Sequence, residues 1–259
     1  MSLNDGNRRA PQGSARRKEP VMSVPALSRP RPRPDFERPG VGLVGVSTWD
    51  VGTSERQRAT LAAIERAWLG RPWPEGGPLS YTVHLGDDGR TLLHYSQWPD
   101  KEAYDRFVRT FRDERNAEID AAVPGIERVR LDFYELYRGA GDAARDPGSI
   151  VIVEVEFAGP DAKRQREWVD TVLTALASDA DNRARSGGIS GWFHVGTEGD
   201  RVLNYAEWES ADAHERALAA PGAGVGSGTP EWDRVHTFPG VQGGGVRRYT
   251  PGITLVPGA

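Results

Sequence analysis

Residues 79–108 read LSYTVHLGDDGRTLLHYSQWPDKEAYDRFV, and residues 189–218 read ISGWFHVGTEGDRVLNYAEWESADAHERAL. The two stretches align without a gap at a constant offset of 110 residues, and nine of the thirty positions are identical. At ordinary composition, roughly two identities would be expected by chance. The offset has the length of a whole domain, whereas solenoid repeats recur every 20–50 residues or so. The chain is therefore predicted to contain two related domains.

Each copy is predicted to contain six elements in the same order. In the first copy, strand patterns cover residues 41–49, 79–85, 90–98 and 126–137, and helical patterns begin at Ser54 and Asp100. In the second copy, a strand pattern covers residues 149–157, helices begin at Asp161 and Ser210 on either side of the matching hairpin, and a last strand contains residues 246–249. Both copies therefore have the order βαββαβ.

This order predicts the fold class. A βαββαβ unit places its helices on one face of an antiparallel sheet and leaves the other face bare. Two such units in one chain can bury both bare faces against each other. We therefore predict an α+β fold in which two ferredoxin-like βαββαβ domains in tandem form an intrachain dimeric α+β barrel.

Composition sets the boundaries of these domains. Residues 1–40 contain seven prolines and eight arginines, a composition typical of a segment that cannot bury enough apolar surface to fold. We expect residues 1–40 to be a disordered Arg/Pro-rich arm, either a basic arm for an acidic partner or a solvated tail, shortened if translation starts at Met22. The first domain is predicted over residues 41–139, a linker over 140–148, and the second domain over 149–259.

Charge and cysteine content narrow the class of protein. The net charge is −4, and because residues 1–40 carry +5, the remainder carries −9. An acidic body argues against nucleic acid as a partner, since phosphate binding needs a basic face. No apolar run reaches the roughly 20 residues of a membrane span, so no membrane partner is expected. The chain has no cysteine, which excludes disulfides and favours a cytoplasmic location.

The alternation of the hairpin strands assigns their side chains to two faces. If Asp87 and Asp88 are the two turn residues, the residue numbers of two facing positions in the first hairpin add up to 175. The more apolar face, expected to lie under the helices, then holds Tyr81, Val83, Leu92, His94, Ser96 and Trp98, with Phe193, Val202, Asn204 and Trp208 in the second copy. The opposite face, expected to join the two sheets, holds His84, Tyr95, Gln97, His194, Tyr205 and Glu207.

The face under the helices carries the candidate site. Two polar and aromatic clusters are predicted there: His94, Trp98 and Tyr104 with Tyr81 nearby in the first copy, and Asn204, Trp208 and His214 in the second. An apolar cleft with a few convergent polar groups is the usual form of a small-molecule site. The alternative is that the two tryptophans only anchor the core.

The pattern that links these residues resembles a known family. The spacing His94-x-x-x-Trp98-x-x-x-x-x-Tyr104, repeated as Asn204, Trp208 and His214, is similar to the antibiotic biosynthesis monooxygenases, and the string YSQWPDKEAYDRF (residues 95–107) is its strongest part. The resemblance covers most of residues 41–250. It implies a dimeric α+β barrel, built here as an intrachain pseudo-dimer that could pair again as a homodimer.

The resemblance also implies an activity. Similar proteins oxidise phenolic polycyclic intermediates, such as anthrones, to quinones with O2 and without flavin, haem or metal, and an Asn, a Trp and a Tyr surround the substrate. Carried over by position, His94 is the base or hydrogen-bonding group, Trp98 the wall and N–H donor, and Tyr104 a second donor. Tyr81, Asn204, Trp208 and His214 become substrate-binding residues. His94 departs from the family's Asn, and His214 departs from its Tyr.

The residues leave two alternative functions open. The chain could be a non-catalytic binding or structural member of the superfamily, since fold alone does not settle function. It could also bind haem through a histidine, with His94 or His214 as the axial ligand. Metal and nucleotide sites are not expected, because the five histidines lack a metal-ligand spacing and no glycine-rich phosphate loop follows a strand.

Overall fold

The computed structural model describes residues 26–29, 32–142, 144–178, 187–219 and 228–258. A short strand, β1 (Ala26–Arg29), precedes the repeats. The first repeat contains β2 (Leu43–Asp50), α1 (Ser54–Leu69), β3 (Ser80–Gly86), β4 (Thr91–Trp98), α2 (Lys101–Thr110), α3 (Arg112–Ala122) and β5 (Glu127–Gly141). The second contains β6 (Ser149–Phe157), α4 (Ala162–Ser178), β7 (Gly188–Gly196), β8 (Arg201–Trp208), α5 (Ala211–Ala219), α6 (Pro230–His236) and β9 (Val241–Pro257).

The two long strands β5 and β9 join the repeats into one closed sheet. The first half of β5 pairs with β2 of its own repeat, and its second half pairs with β7 of the other repeat. The strand β9 does the same, pairing first with β6 and then with β3. Together with the β3–β4–β2 and β7–β8–β6 pairings, these contacts close a ring of antiparallel strands. The predicted α+β barrel built from two ferredoxin-like units is confirmed.

The hairpin register differs from the predicted one, but the faces do not change. Val83 lies opposite His94, and His84 lies opposite Leu93. The residue numbers of facing positions in the first hairpin therefore add up to 177 and not to 175. The turn is two residues longer than expected, because Gly86 and Thr91 flank it and Gly89 adopts a φ of 71°. A shift of two residues preserves the alternation of side chains. Every side chain therefore keeps its predicted face.

A buried glutamine at the start of the first helix fixes the hairpin in each repeat. The side-chain amide of Gln57 donates to the carbonyl oxygens of Gly86 and Thr91, each at 2.8 Å. Gln165 donates in the same way to Gly196 at 3.1 Å and Arg201 at 2.7 Å. The two bonds join the side-chain amide to backbone carbonyl groups on both sides of the turn, and one of these carbonyls in each repeat, that of Gly86 or Gly196, also accepts from a backbone N–H of the turn. The helix layer is thereby tied to the sheet at the same place in both halves.

Inside the barrel, each repeat supplies a tyrosine to a histidine of the other. The Tyr95 hydroxyl lies 2.8 Å from Nε2 of His194, and the Tyr205 hydroxyl lies 2.7 Å from Nε2 of His84. All four side chains are buried. Nδ1 of His194 donates to the Trp192 carbonyl oxygen at 3.0 Å, so its Nε2 accepts the proton of Tyr95. The side chains on the strand face that was expected to join the two sheets therefore do bond one repeat to the other.

The expectation that residues 1–40 are unstructured is wrong for residues 26–29 and 32–40. The strand β1 pairs with the end of β9. Phe36 is buried in the barrel interior, where its ring stacks on Trp192 at 4.7 Å between centroids and meets the edge of Tyr205 at 5.0 Å. Composition did not predict order in this segment, because the order depends on two side chains, one phenylalanine and one arginine, that contact distant parts of the chain. The expectation for residues 1–25, 30 and 31 lies outside the described residues.

Arg33 completes the interior of the second repeat. Its guanidinium donates to Oε2 of Glu207 at 2.6 Å and to the carbonyl oxygen of Arg145 at 3.0 Å. The Glu207 side chain has no exposed surface, and burial raises the pKa of this carboxyl while Ser190 and Arg33 act in the opposite direction. In the first repeat the corresponding residue is Gln97, which needs no counter-charge. The N-terminal segment therefore neutralises the buried acid.

No helix within the described part of the chain is long and apolar enough to cross a membrane.

The pairing of Arg33 with Glu207 can be tested by a double-mutant cycle. We expect Arg33→Met to lower the free energy of unfolding by about 3 kcal/mol, because it leaves a buried carboxylate without its cation. In a Glu207→Gln background, which copies Gln97, the same change should cost about 1 kcal/mol or less. Urea denaturation of the four proteins measures both values. Equal costs in the two backgrounds would show that the ion pair contributes nothing.

The interior histidines make stability depend on pH. Burial lowers the pKa of His84 to about 3 and of His194 to about 4, whereas an unfolded histidine titrates near 6.5. The unfolded state therefore binds protons first, so the stability that the neutral rings provide is full above about pH 6.5 and is lost as the pH falls towards 3–4.

Between pH 7.5 and 5.5 this effect amounts to about 1.4 kcal/mol for each histidine. We expect the His84→Gln/His194→Gln protein to lose about 2.7 kcal/mol less than the natural sequence over this interval. Urea denaturation at the two pH values provides the comparison. Parallel losses in both proteins would contradict the assignment.

Candidate functional site

The first repeat holds a cavity of about 560 Å³ between β4 and the layer formed by α2 and α3. The strand β4 presents His94, Ser96 and Trp98 to this space because these positions alternate on the face under the helices. All four residues predicted for this copy line the cavity: Tyr81, His94, Trp98 and Tyr104. The four residues that the sequence predicted as a cluster therefore line the same cavity.

His94 is the most unusual group in this wall. It is 3% exposed, and its Nδ1 lies 2.6 Å from the Tyr81 hydroxyl. Its Nε2 is buried and has no hydrogen-bond partner within the described chain. Burial, with smaller contributions from Arg128 and His84, lowers the pKa of His94 to about 3. A neutral imidazole with one unsatisfied nitrogen thus lies at the cavity, and an unpaired buried polar atom costs stability unless a ligand pairs with it.

Trp98 forms part of the wall, but its N–H group is already occupied. Its Nε1 donates to Oγ of Ser96 at 2.8 Å, and Ser96 in turn donates to the Gly45 carbonyl oxygen at 3.1 Å. In this conformation the indole N–H of Trp98 is therefore bonded within the protein and is not free to donate to a ligand. Strand alternation places Ser96 and Trp98 on the same face but does not determine the side-chain rotamers that join them, so the bond could not be predicted from the sequence.

Tyr104 lies on α2 and closes the cavity from the helix side. Its ring meets the edge of Trp98 at 5.2 Å and of Phe133 at 4.8 Å between centroids. Partial burial raises the pKa of this phenol, and Arg112 and Lys101 oppose the shift. The hydroxyl is therefore protonated at neutral pH and can donate a hydrogen bond.

Arginines make one side of this cavity electropositive. Arg115 is 4% exposed, donates to the carbonyl oxygens of Phe111 and Pro72, and leaves its Nε buried without an acceptor. It forms no ion pair with any residue that the structure describes. Arg128 lies over the Trp49 ring at 4.6 Å and is paired with Asp120. A buried guanidinium without a carboxylate favours an anionic ligand.

The second repeat holds a cavity of about 540 Å³ at the corresponding place. Asn204 and Trp208 line it as predicted, and Oδ1 of Asn204 is buried without a partner in the described chain. The described lining residues are uncharged and mostly apolar or aromatic, among them Trp168, Phe193, Trp208 and Trp232. The two cavities therefore lie at corresponding positions and have similar volumes, but their described lining residues differ in charge.

His214 does not take part in the second cavity. Its Nδ1 accepts from Nε of Arg248 at 3.1 Å, and its ring meets the edge of Trp208 at 4.8 Å. Burial lowers the pKa of His214 to about 4, with Arg248 acting in the same direction. Its predicted partners Asn204 and Trp208 lie together in the wall, whereas His214 lies behind that wall.

Several lining residues escaped the sequence reasoning. Arg115 lies on α3, a helix that was not predicted, and Arg128 lies on a strand whose faces were not assigned. Trp232 lies on α6, whose start was signalled by Thr229 and Pro230: Thr229 caps the backbone N–H of Trp232 and proline occupies the first turn.

In the described ranges, no group of three or more His, Asp or Glu residues could hold a metal ion.

Comparison with known proteins finds solved structures that have a similar fold. No family model and no curated protein matches the chain. Among solved structures, an anthrone oxidase-like protein is 20% identical, with a TM-score of 0.60 over 89% of this chain and 95% of its own. A candidate monooxygenase from Lactobacillus acidophilus is 13% identical, with a TM-score of 0.53 over 84% of this chain and 98% of its own.

A candidate monooxygenase from Fusobacterium nucleatum is 11% identical, with a TM-score of 0.54 over 86% of this chain and 98% of its own. Identities this low are evidence about the fold. Together with the closed sheet, they show that this chain has the dimeric α+β barrel fold that the resemblance to the antibiotic biosynthesis monooxygenases implied.

Proposed function

We propose that the first repeat oxidises a phenolic polycyclic aromatic molecule with O2 to a quinone, without a bound cofactor. The observation that carries this proposal is the unpartnered Nε2 of His94 in the wall of an aromatic cavity. The names of the similar structures, an anthrone oxidase-like protein and two candidate monooxygenases, support it. The cavity volume falls within the range of about 300–1,000 Å³ that small-molecule sites occupy.

The reaction needs an electron-rich anion of the substrate. An anthrone-type substrate loses a proton from its ring methylene group or the conjugated phenol, and the resulting anion transfers electrons to O2 as a carbon–oxygen bond forms. Protonation of the hydroperoxide and loss of water then leave a carbonyl group. One oxygen atom enters the product and the other leaves as water, so the substrate itself supplies all the electrons.

The cationic wall is suited to the first step. A nearby positive charge favours the ionised form of a phenol. Arg115 supplies such a charge, and Arg128 supplies a second one that its partner Asp120 offsets in part. The charge of Arg128 adds to the effect of burial in lowering the pKa of His94, and the same charge favours the ionised form of a bound phenol. His94 therefore acts first as a hydrogen-bonding group that orients the oxygen, and it holds a proton only transiently.

Aromatic rings shield one side of the cavity from water. Rings of Trp49, Trp68 and Trp98 line it, and each of these residues is buried. Hydrogen bonds and charges act more strongly where water is excluded. Tyr104, protonated at neutral pH, is placed to donate to a second oxygen of the substrate.

Replacing His94 tests the proposal directly. With anthrone as the substrate, we expect His94→Ala to lower kcat/KM for O2 uptake about a hundredfold or more, because the group that pairs with the reacting oxygen is lost. An oxygen electrode measures the rate. His236→Ala is a matched control, since His236 is exposed on α6 and should leave the rate unchanged. Undiminished turnover by the His94 variant would refute the assignment.

The charge of Arg128 can be separated from its packing. We expect Arg128→Gln to move the acid limb of the kcat profile, measured at saturating substrate, to higher pH by about one unit, because the bound phenol loses a nearby positive charge and its pKa rises. Arg128→Lys retains the charge and should keep the limb near its original position. Measurements of O2 uptake between pH 5 and 9 compare the three proteins. An unchanged limb in the Gln variant would show that Arg128 does not stabilise the anion.

Haem binding is a second candidate, favoured by the same neutral imidazole with its free Nε2. Axial ligation requires an unprotonated Nε2, which is the tautomer in which Nδ1 of His94 donates to the Tyr81 hydroxyl. Titration with hemin would then give a Soret band that the His94→Ala protein lacks. The absence of this band together with O2-dependent oxidation of anthrone would decide for the first function.

A further inference from the structure

Arg115 differs from the other arginines of the first cavity in having no carboxylate partner among the described residues. Four arginines line this cavity. Three of them pair with an acid: Arg112 with Asp113, Arg128 with Asp120, and Arg130 with Asp132. The carboxylates that act electrostatically on Arg115 belong to Glu114 and Glu118. Both are exposed, and Glu118 pairs with Arg71. The described chain therefore leaves one cation of the wall without a counter-charge.

We propose that Arg115 binds a carboxylate group of the substrate of the first repeat, so that this substrate is a polycyclic aromatic acid. The substrate class rests on the oxidation proposed above. The binding of a carboxylate at Arg115 does not depend on that oxidation, because it concerns binding and not turnover.

The guanidinium of Arg115 is held in one orientation and has a donor left over. Its two terminal nitrogens donate to the carbonyl oxygens of Phe111 at 3.2 Å and of Pro72 at 3.1 Å. Its Nε is buried and has no acceptor in the described chain. A guanidinium bonds most strongly to an ionised acceptor such as a carboxylate. The N–H group on Nε is available for this partner.

The burial of Arg115 favours an anion that is already charged when it enters. Arg115 is 4% exposed, and a buried charge is costly unless it is paired. Its guanidinium carbon lies 4.8 Å from the centroid of the Trp68 ring, which offsets only part of this cost. A carboxylate is ionised at neutral pH, whereas a phenol ionises near pH 10. The carboxylate therefore pairs with Arg115 before any proton leaves the reacting end.

The wall between Arg115 and His94 defines the length of the substrate. Trp68 lies beside the Arg115 guanidinium, and the Tyr81 ring lies next to Trp68 at 4.9 Å between centroids. The Tyr81 hydroxyl lies 2.6 Å from Nδ1 of His94. A substrate that reaches from Arg115 to His94 must therefore extend past two aromatic rings. A flat polycyclic acid meets this requirement, because fused rings pack on aromatic walls and keep its two polar ends apart.

Other charges in the two cavities support this assignment. Arg128 lies over the ring of Trp49, whose centroid is 4.2 Å from that of His94. A separate cation therefore remains at the reacting end when Arg115 holds the carboxylate. In the second cavity no described lining residue is charged, so a carboxylate would be unpaired there. The acid subsite belongs to the first repeat.

A pair of probes that have the same shape and differ in charge tests carboxylate binding. At neutral pH 2-naphthoate is an anion, and 2-naphthamide is its neutral counterpart. We expect Arg115→Met to weaken the binding of 2-naphthoate at least about tenfold, and to change that of 2-naphthamide by less than about threefold, because only the anion loses its partner. Isothermal titration measures both affinities. No binding of 2-naphthoate to the natural protein, or equal losses for the two probes, would overturn the proposal.

A matched variant separates Arg115 from the general charge of the cavity. Arg112 lines the same cavity but pairs with Asp113, so Arg112→Met should leave the affinity for 2-naphthoate within about threefold. A tenfold loss in this variant as well would overturn the assignment to Arg115. If Arg115→Met fails to fold, Arg115→Gln replaces it, since its amide can still donate to a backbone carbonyl. Unchanged 2-naphthoate affinity in either folded Arg115 variant would also overturn the proposal.

Oxygen uptake tests the substrate class. With the natural protein, we expect kcat/KM for anthrone-2-carboxylate to exceed that for anthrone about tenfold, and in Arg115→Met we expect this ratio to fall to near one. Equal values for the two substrates in the natural protein would overturn the substrate class. If neither is oxidised while 2-naphthoate binding depends on Arg115, the proposed oxidation fails and the carboxylate site stands.

Discussion

Backbone pairing across the repeats, through β5 and β9, is the constraint on which the rest of the structure depends. Each of these strands begins beside a strand of its own repeat and ends beside a strand of the other. Neither sheet could satisfy its edge or cover its bare face alone, because an open edge leaves unpaired backbone groups. The reciprocal hydrogen bonds of Tyr95 with His194 and of Tyr205 with His84 fill the interior that this exchange encloses.

Much of the fold could be predicted because the repeat and the alternation of side chains are local signals. The faces of β3 and β4 followed from a period of two residues and were unaffected by a turn longer than expected. The cluster of His94, Trp98 and Tyr104 followed from the same alternation and from helical spacing on α2.

Features that depend on contacts distant in sequence were not predictable from these local signals. The ordering of Phe36 depends on Trp192 and Tyr205, more than 150 residues away. The cationic side of the first cavity depends on Arg115, whose neighbours come from separate loops and helices. Alternation also gave no indication that Ser96 occupies the indole of Trp98, since this bond depends on side-chain rotamers.

Fusion of the two repeats separates their evolutionary constraints. In a homodimer, one sequence must serve both cavities, so a residue suited to one ligand is imposed on both. In this chain Tyr81 and Gly191 can differ, and so can His94 and Asn204, while the interior pairs stay the same. The barrel retains its symmetry where the halves meet, and it loses that symmetry where small molecules would bind.

The pairing of β1 with β9 has a consequence for biosynthesis. Ala26–Arg29 pair with the last strand of the chain, and Phe36 packs against residues of the second repeat. During translation, the first of these residues leave the ribosome long before their partners exist. The barrel can therefore close only after β9 has emerged, and until then the sheet of the first repeat lacks a neighbouring strand beside β3. Contacts this distant in sequence also slow folding, so this waiting state is the one that a chaperone would need to protect.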